Sequence, residues 1–214
     1  MPTFLQLSKA LDRPLPPEFH DDEVRYPPGL VQHFLVGYTR PGDRVFDPFA
    51  GYGTTLITAE AMGRIGYGLE LDATKAAYAR GFLQQPENLV QGDARRLTDL
   101  EWPRFQFVMT SPPYMSRGDP EDPLSDYRQP GRGYAAYLRD LRGVFAQLRQ
   151  LVEPAGHVVV EAANLKGDGQ LTTLAWDLAA EISKVLHFEG EVVIGWDRRE
   201  YGYDHSYCMV FSVL

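Results

Sequence analysis

The sequence predicts an α/β fold built on an open, mainly parallel sheet of seven strands whose last strand runs antiparallel. Three observations carry that prediction. Short apolar runs alternate with stretches of helical period through short links, the rhythm of parallel strands with crossover helices. A glycine-rich segment, Gly51-Tyr-Gly53, falls between the first core strand and its helix, where such sheets place a ligand. The final two strand-like runs follow each other without a helix, so they must be antiparallel neighbours.

The elements follow in order. Residues 1–29 are rich in proline (Pro14, Pro16, Pro17, Pro27, Pro28) and in acid (Asp21-Asp22-Glu23), and read as an extended arm beside a single domain of residues 30–214. Leu30, Val31, Phe34 and Leu35 have helical spacing up to Tyr38, and Pro41-Gly42 ends that helix. Strands are expected at 44–47, 65–70, 88–91, 105–109, 156–161, 191–196 and 205–213. Helices are expected at 54–62, from Asp72 as N-cap to about Phe82, at 134–151 and at 171–186.

Composition narrows the class. Apolar residues at 44% with 23% charged are ordinary for a globular chain of 214 residues. No run is long enough to span a membrane, and the N-terminus lacks a basic region followed by an apolar core, so a cytoplasmic location is expected. Cys208 is the one cysteine, which excludes an intrachain disulfide and a thiolate metal cluster, and it reads as a buried structural residue. No metal is expected, because no second histidine or cysteine stands at ligand spacing from His205. The net charge of −8 is unfavourable for gripping phosphates, so nucleic-acid binding would need locally concentrated arginines or a protein partner.

The chemistry concentrates at Thr110-Ser111-Pro112-Pro113-Tyr114, directly after an apolar strand. Two prolines remove backbone donors and hold Ser111 out of the α region, so the loop leaves the strand stiff. The Ser111 hydroxyl, the following carbonyls and the Tyr114 ring are then suited to holding a planar, amino-bearing ring by its edge and face.

Asp47-Pro48-Phe49-Ala-Gly51-Tyr-Gly53-Thr54-Thr55 supplies close backbone approach and an electropositive helix start. Leu56 replaces the third glycine of the dinucleotide fingerprint, and no Gly-Lys-Thr is present for a triphosphate. Glu70, ending the next strand and followed by Leu71, can accept bonds from ribose hydroxyls, while Asp93, followed by Ala94, can face an adenine amine. The acidic Asp47 repels phosphate and suits a cation. Ribose, adenine and positive charge together describe S-adenosylmethionine better than NAD or ATP. Each carboxylate alone could be a cap or turn residue, but three in register favour the ligand reading.

These segments, with Gly-Leu-Glu-Leu-Asp (68–72) and Gly-Asp-Ala (92–94), resemble the S-adenosylmethionine-dependent amino-methyltransferases of nucleic-acid bases. Ser-Pro-Pro-Tyr is most similar to the cytosine-N4 DNA enzymes. The resemblance implies a Rossmann-like methyltransferase fold, and it casts Arg25-Tyr26-Pro-Pro28 as the segment closing over the cofactor's methionine end. It further implies catalysis by Ser111, Pro112, Pro113 and Tyr114 on an unstacked or flipped base, in DNA before RNA, cytosine before adenine. An RNA guanine 2-amino group, or a catalytically idle cofactor-binding subunit of a larger complex, are the alternatives, and a protein partner or a homodimer is left open. No stretch is long enough for a separate target-recognition domain. Substrate contacts are therefore expected from Tyr114, from Arg117, Arg128 and Arg132 in the loop 115–132, and from Arg198, Tyr203 and His205 in the final hairpin; the whole of that link, with Arg199, Tyr201 and Asp204, could equally be a polar hairpin tip. A thiolate mechanism at ring carbon 5 is set aside because Cys208 is poorly placed.

Overall fold

The computed structural model describes every residue except 1, 12, 18, 20–24, 126, 168, 201 and 202, and the side chains of 198–200. Its main sheet has eight strands. In chain order they are β1 (Phe4–Leu7), β2 (Arg44–Asp47), β3 (Ile65–Glu70), β4 (Leu89–Gln91), β5 (Phe105–Thr110) and β6 (Val152–Ala162), then, after a separate hairpin of β7 (Leu165–Gly167) and β8 (Gln170–Thr172), β9 (His187–Glu200) and β10 (Tyr203–Ser212). The spatial order is β1-β9-β10-β6-β5-β2-β3-β4. Strand β10 is antiparallel to both neighbours, and every other pairing in this sheet is parallel.

The sequence pattern predicts seven strands, and the eighth comes from the N-terminal arm. Phe4–Leu7 lies alongside Val193–Trp196 of β9. Four residues of alternating exposure carry too little pattern to be read as a strand without the neighbour that supplies their ladder.

The helices form the outer layers. Helix α1 (Pro28–Tyr38) buries Leu30, Val31, Phe34 and Leu35 against Val45, Phe107, Val159 and Ile194 on one sheet face. On the other face α4 (Tyr134–Leu151) and α5 (Leu174–Ile182) pack Leu141, Phe145, Leu148 and Leu178 over Phe105, Val158, Val160 and Phe211. Each such fully buried large side chain contributes roughly 1.5–3 kcal/mol. Cys208 lies inside the first of these cores, fully buried.

Helix α2 (Thr54–Ala61) rests directly on β3. A Cβ on Gly66 would stand 2.9 Å from Leu56 Cα, and one on Gly68 2.9 Å from Leu56 Cδ1. Helix α3 (Ala73–Arg80) begins at Asp72, whose carboxylate accepts the Thr74 and Lys75 amides. The expected helix over 171–186 is shorter than its apolar pattern implied. The β7–β8 hairpin takes its first residues, turning at Gly169 with φ of +74°. Glycines at 167 and 169 and the β-branched Thr172-Thr173 favour a turn and strand over a first helical turn.

Candidate active site

One cavity of about 800 Å³ opens at the carboxyl ends of the parallel strands, and it receives both the stiff loop and the glycine turn. Its wall includes Ser111, Pro112, Pro113 and Tyr114 from the exit of β5. Tyr26, Asp47, Pro48, Phe49, Gly51, Thr54 and Thr55 come from the arm and the β2–α2 turn, and Glu70, Leu71, Asp93 and Ala94 from the exits of β3 and β4. Tyr203 and His205 reach the same wall, because β9 runs with the core strands and its return emerges on their side. Pro28 and Gly53 do not line it: Pro28 opens α1, and Gly53 precedes α2 with φ of +81°, its missing Cβ lying 3.0 Å from Ala79 Cβ.

Asp47 is the junction of the site. Its nearly buried carboxylate accepts the Thr110 hydroxyl at 2.6 Å, the Thr55 hydroxyl at 2.8 Å, the Phe49 amide at 3.0 Å and the Tyr26 hydroxyl at 3.1 Å. One side chain thereby ties together the ends of β2 and β5, the start of α2 and the arm. Burial nevertheless pushes the Asp47 carboxyl above its ordinary value, the four donors only partly opposing it. Tyr26 is pushed far upward, first by burial and then by the Asp47 charge, so it stays a neutral donor.

Glu70 joins the two turns that face each other across β3. Its oxygens accept the Gly51 amide at 2.7 Å and the Asp72 amide at 2.8 Å, and burial outweighs both in raising its pKa. Each carboxylate oxygen still has a second lone pair for a ligand. Asp93 is engaged by its neighbour Arg95, whose guanidinium bonds both carboxylate oxygens at 2.7–3.0 Å.

The loop arginines expected to meet substrate do not line the cavity. Arg117, Arg128 and Arg132 are outside the cavity wall and pair with Asp177, Asp72 and Asp140 respectively. In this acidic chain all three of these exposed cations have a carboxylate partner. The Asp72 partnership ties Arg128 of the loop 115–132 to the start of α3. Burial opposes ionisation of Asp72, but the Lys75 and Thr74 amides and the Arg128 charge together bring its pKa below the usual value. The same loop sends Pro123, Leu124 and Tyr127 into the cavity wall, and the Tyr127 hydroxyl donates to the Tyr114 carbonyl at 3.0 Å. Tyr201 and the side chains of Arg198 and Arg199 fall outside the described residues.

Glu161 escaped the sequence reading. The register pairs Thr110 of β5 with Val160 of β6, so the next residues, Ser111 and Glu161, come side by side. Glu161 Oε2 accepts the Ser111 hydroxyl at 3.0 Å and the Tyr114 hydroxyl at 2.9 Å, while the Tyr114 oxygen accepts the Ala163 amide at 3.1 Å. The available signal was a lone acid closing the run His157-Val-Val-Val-Glu161. Among the described residues, no group of three His, Cys, Asp or Glu could hold a metal ion, and no helix is long and apolar enough to cross a membrane.

The architecture is the Rossmann-like fold of S-adenosylmethionine-dependent methyltransferases. TrmN from Thermus thermophilus superimposes with a TM-score of 0.62 at 20% identity, over 87% of this chain and 49% of that one. In sequence the chain resembles the amino-methyltransferases of the N4/N6 type: the DNA methylase family model matches residues 11–80. Type II methyltransferase M.BglII of Bacillus subtilis is 38% identical over 49 residues, 23% of this chain and 14% of its own length. Type II methyltransferase M.MjaII of Methanocaldococcus jannaschii is 33% identical over 66 residues, 31% of this chain and 12% of its own. The chain thus matches only a small part of these curated relatives.

Proposed function

We propose that this chain is a methyltransferase of the DNA-modifying type, moving a methyl group from S-adenosylmethionine to an exocyclic amino nitrogen of a base, cytosine N4 first and adenine N6 second. The carrying observation is that the Ser111–Tyr114 corner and the Gly51–Thr55 turn open into one cavity at one rim of the sheet. In this reading residues 30–214 act as one catalytic domain, and residues 1–29 are an arm that brings Lys9, Arg25 and Tyr26 to the cavity wall.

The residues present fit the cofactor. Glu70 would take the ribose hydroxyls, and Leu71, Asp93 and Ala94 would border the adenine. The open glycine turn and Tyr26 would accept the methionine end. The cavity is large enough for a nucleoside together with a base. When bound, S-adenosylmethionine supplies an electrophilic methyl carbon on a cationic sulfur, which carboxylates at the wall favour.

The chain's own residues prepare the nucleophile. An exocyclic amine is weakly nucleophilic because its lone pair is delocalised into the ring. Accepting its two N–H bonds at Ser111 Oγ and the Pro112 carbonyl lets nitrogen pyramidalise and aim that pair at the cofactor, so positioning and preorganised acceptors carry the rate. Tyr114 would stack on the unpaired base, with Tyr203 and His205 on the same cavity wall.

One observation favours a second reading, the 2-amino group of guanine in RNA. Glu161 Oε1 accepts no hydrogen bond from any described residue, and guanine donates from N1–H beside its amine. Labelled methyl transfer to DNA and to RNA, followed by nucleoside analysis, separates the two. Finding no labelled base in either polymer would refute the proposal.

A further inference from the structure

We propose that Glu161 is the proton acceptor of the reaction, acting through Ser111, and that it fixes Ser111 as an acceptor toward the substrate amine. The inference rests on the methyl-transfer reading above. Glu161 is only 7% exposed, yet no cation pairs with it among the described residues; its hydrogen-bond partners there are the Ser111 and Tyr114 hydroxyls alone. A buried carboxylate without a counter-charge is costly to maintain. A positive charge arising beside it during turnover accounts for its placement.

A serine hydroxyl has one hydrogen and two lone pairs. Because that hydrogen is committed to Glu161 Oε2 at 3.0 Å, only acceptor capacity remains toward the cavity. Ser111 is thereby matched to an amine, which donates, and mismatched to a keto oxygen, which does not. Tyr114 contributes from the other side. Its hydroxyl donates to the same Oε2 and accepts the Ala163 amide, which fixes both the ring and the carboxylate.

The proton balance follows. Once nitrogen has used its lone pair to bond the methyl carbon, and the sulfur–methyl pair has returned to sulfur, the amine carries a positive charge and two hydrogens. One N–H bond breaks with its electron pair staying on nitrogen, and that proton passes to Ser111 Oγ as the serine's own proton moves to Glu161 Oε2. The products are a neutral methylated amine, a neutral serine and a protonated Glu161, which returns its proton to water through the cavity it lines. Glu161 is a positioning residue, since it meets the substrate through Ser111.

The test compares wild type with Glu161→Gln, Glu161→Asp, Ser111→Ala and the Ser111→Ala/Glu161→Gln double variant. Three quantities are measured: single-turnover transfer to the polymer that nucleoside analysis identifies, S-adenosylmethionine affinity by calorimetry, and thermal melting. Glu161→Gln is expected to lower the single-turnover rate about 100-fold or more, the range of a lost proton acceptor, with cofactor affinity within about twofold of wild type. Glu161→Asp should recover at least about tenfold over Gln, and the double variant should be no slower than Ser111→Ala by more than about threefold. A Gln variant at the wild-type rate, a loss explained wholly by cofactor affinity, or losses that multiply in the double variant would overturn the relay while leaving the methyl-transfer reading intact. Absence of transfer by wild type to either polymer would instead remove that reading and the relay with it. Should the Gln variant fail to fold, the same cycle run with Glu161→Asp and Ser111→Ala decides by the same non-additivity.

Discussion

Glu70→Ala removes the carboxylate that holds the Gly51 and Asp72 amides at 2.7 and 2.8 Å, and so separates two turns that together would cradle a nucleoside. Hydrogen bonds to a charged group are worth about 1.5–3 kcal/mol each, but water can reach the freed amides at the cavity wall. Relief of the burial that raises the Glu70 pKa offsets part of the remainder. The net cost to the cofactor-free protein is then about 1–2 kcal/mol, and at roughly 2–4 °C per kcal/mol the melting temperature should fall by roughly 2–8 °C. The cofactor loses more. Two ribose hydroxyls forfeit a charged acceptor, roughly 3 kcal/mol in all, or about 100-fold in Kd. Titration calorimetry with S-adenosylmethionine measures the Kd, and a melting curve shows whether the variant is folded. Glu70→Gln keeps one acceptor oxygen but sets its NH2 against a backbone N–H, so its affinity should fall between the two. A folded Glu70→Ala protein whose Kd stays within about threefold of wild type would refute this account, since the lost bonds could not be worth the charged-group energies used here.

Three further outcomes are expected. Tyr114→Phe keeps the ring but loses the hydroxyl contacts with Glu161 and Ala163, so transfer should slow by about tenfold; Tyr114→Ala also loses stacking worth about 1–3 kcal/mol and should slow by about 100-fold. Single-turnover rates, with 2-aminopurine fluorescence reporting the stacking, check both, and full activity in the alanine variant would remove the stacking role. Asp47 has a folded pKa raised by burial, so its contribution to stability is fully present below the unfolded value of about 3.9 and is lost as pH rises through the folded value. Melting of Asp47→Asn relative to wild type should therefore improve between about pH 4 and pH 7, even as cofactor affinity falls; a pH-independent difference would contradict the assigned direction. Burial pushes the Cys208 thiol far up, and Cys208 lies outside the cavity wall, so Cys208→Ser should cost about 1–2 kcal/mol of stability while transfer stays within about twofold. Loss of transfer in a folded Cys208→Ser protein would restore a thiolate mechanism.

The parts of the molecule that were legible in the sequence are those set by local pattern. Arg44–Asp47, Ile65–Glu70 and Tyr134–Leu151 carry their own periodicity, and the structure has all three at those bounds. The proline pair of 112–113 and the glycines of 51 and 53 announce stiff and tight backbone without reference to distant residues. What was hidden depends on register. Glu161 is one more acid at a strand end until β5 is laid beside β6, and only the Thr110–Val160 pairing brings it to Ser111. Arg117, Arg128 and Arg132 depend on the fold in another way: their charge is visible in the sequence, but the carboxylate each one meets lies 60, 56 and 8 residues away. Phe4–Leu7 and the hairpin at 165–172 were missed because short strands take their ladders from partners that no local window contains.

The bare backbones at Gly66 and Gly68 set the height at which Leu56, and with it the whole of α2, sits above the sheet. A methyl at Gly66 would press on the Leu56 backbone, jack the helix outward and draw Thr55 away from the Asp47 knot at its foot, while one at Gly68 would press on the Leu56 side chain and on Ala50. Variation there would then mimic damage to the ligand site while touching no ligand, a silent dependence of cavity depth on two atoms that are not present.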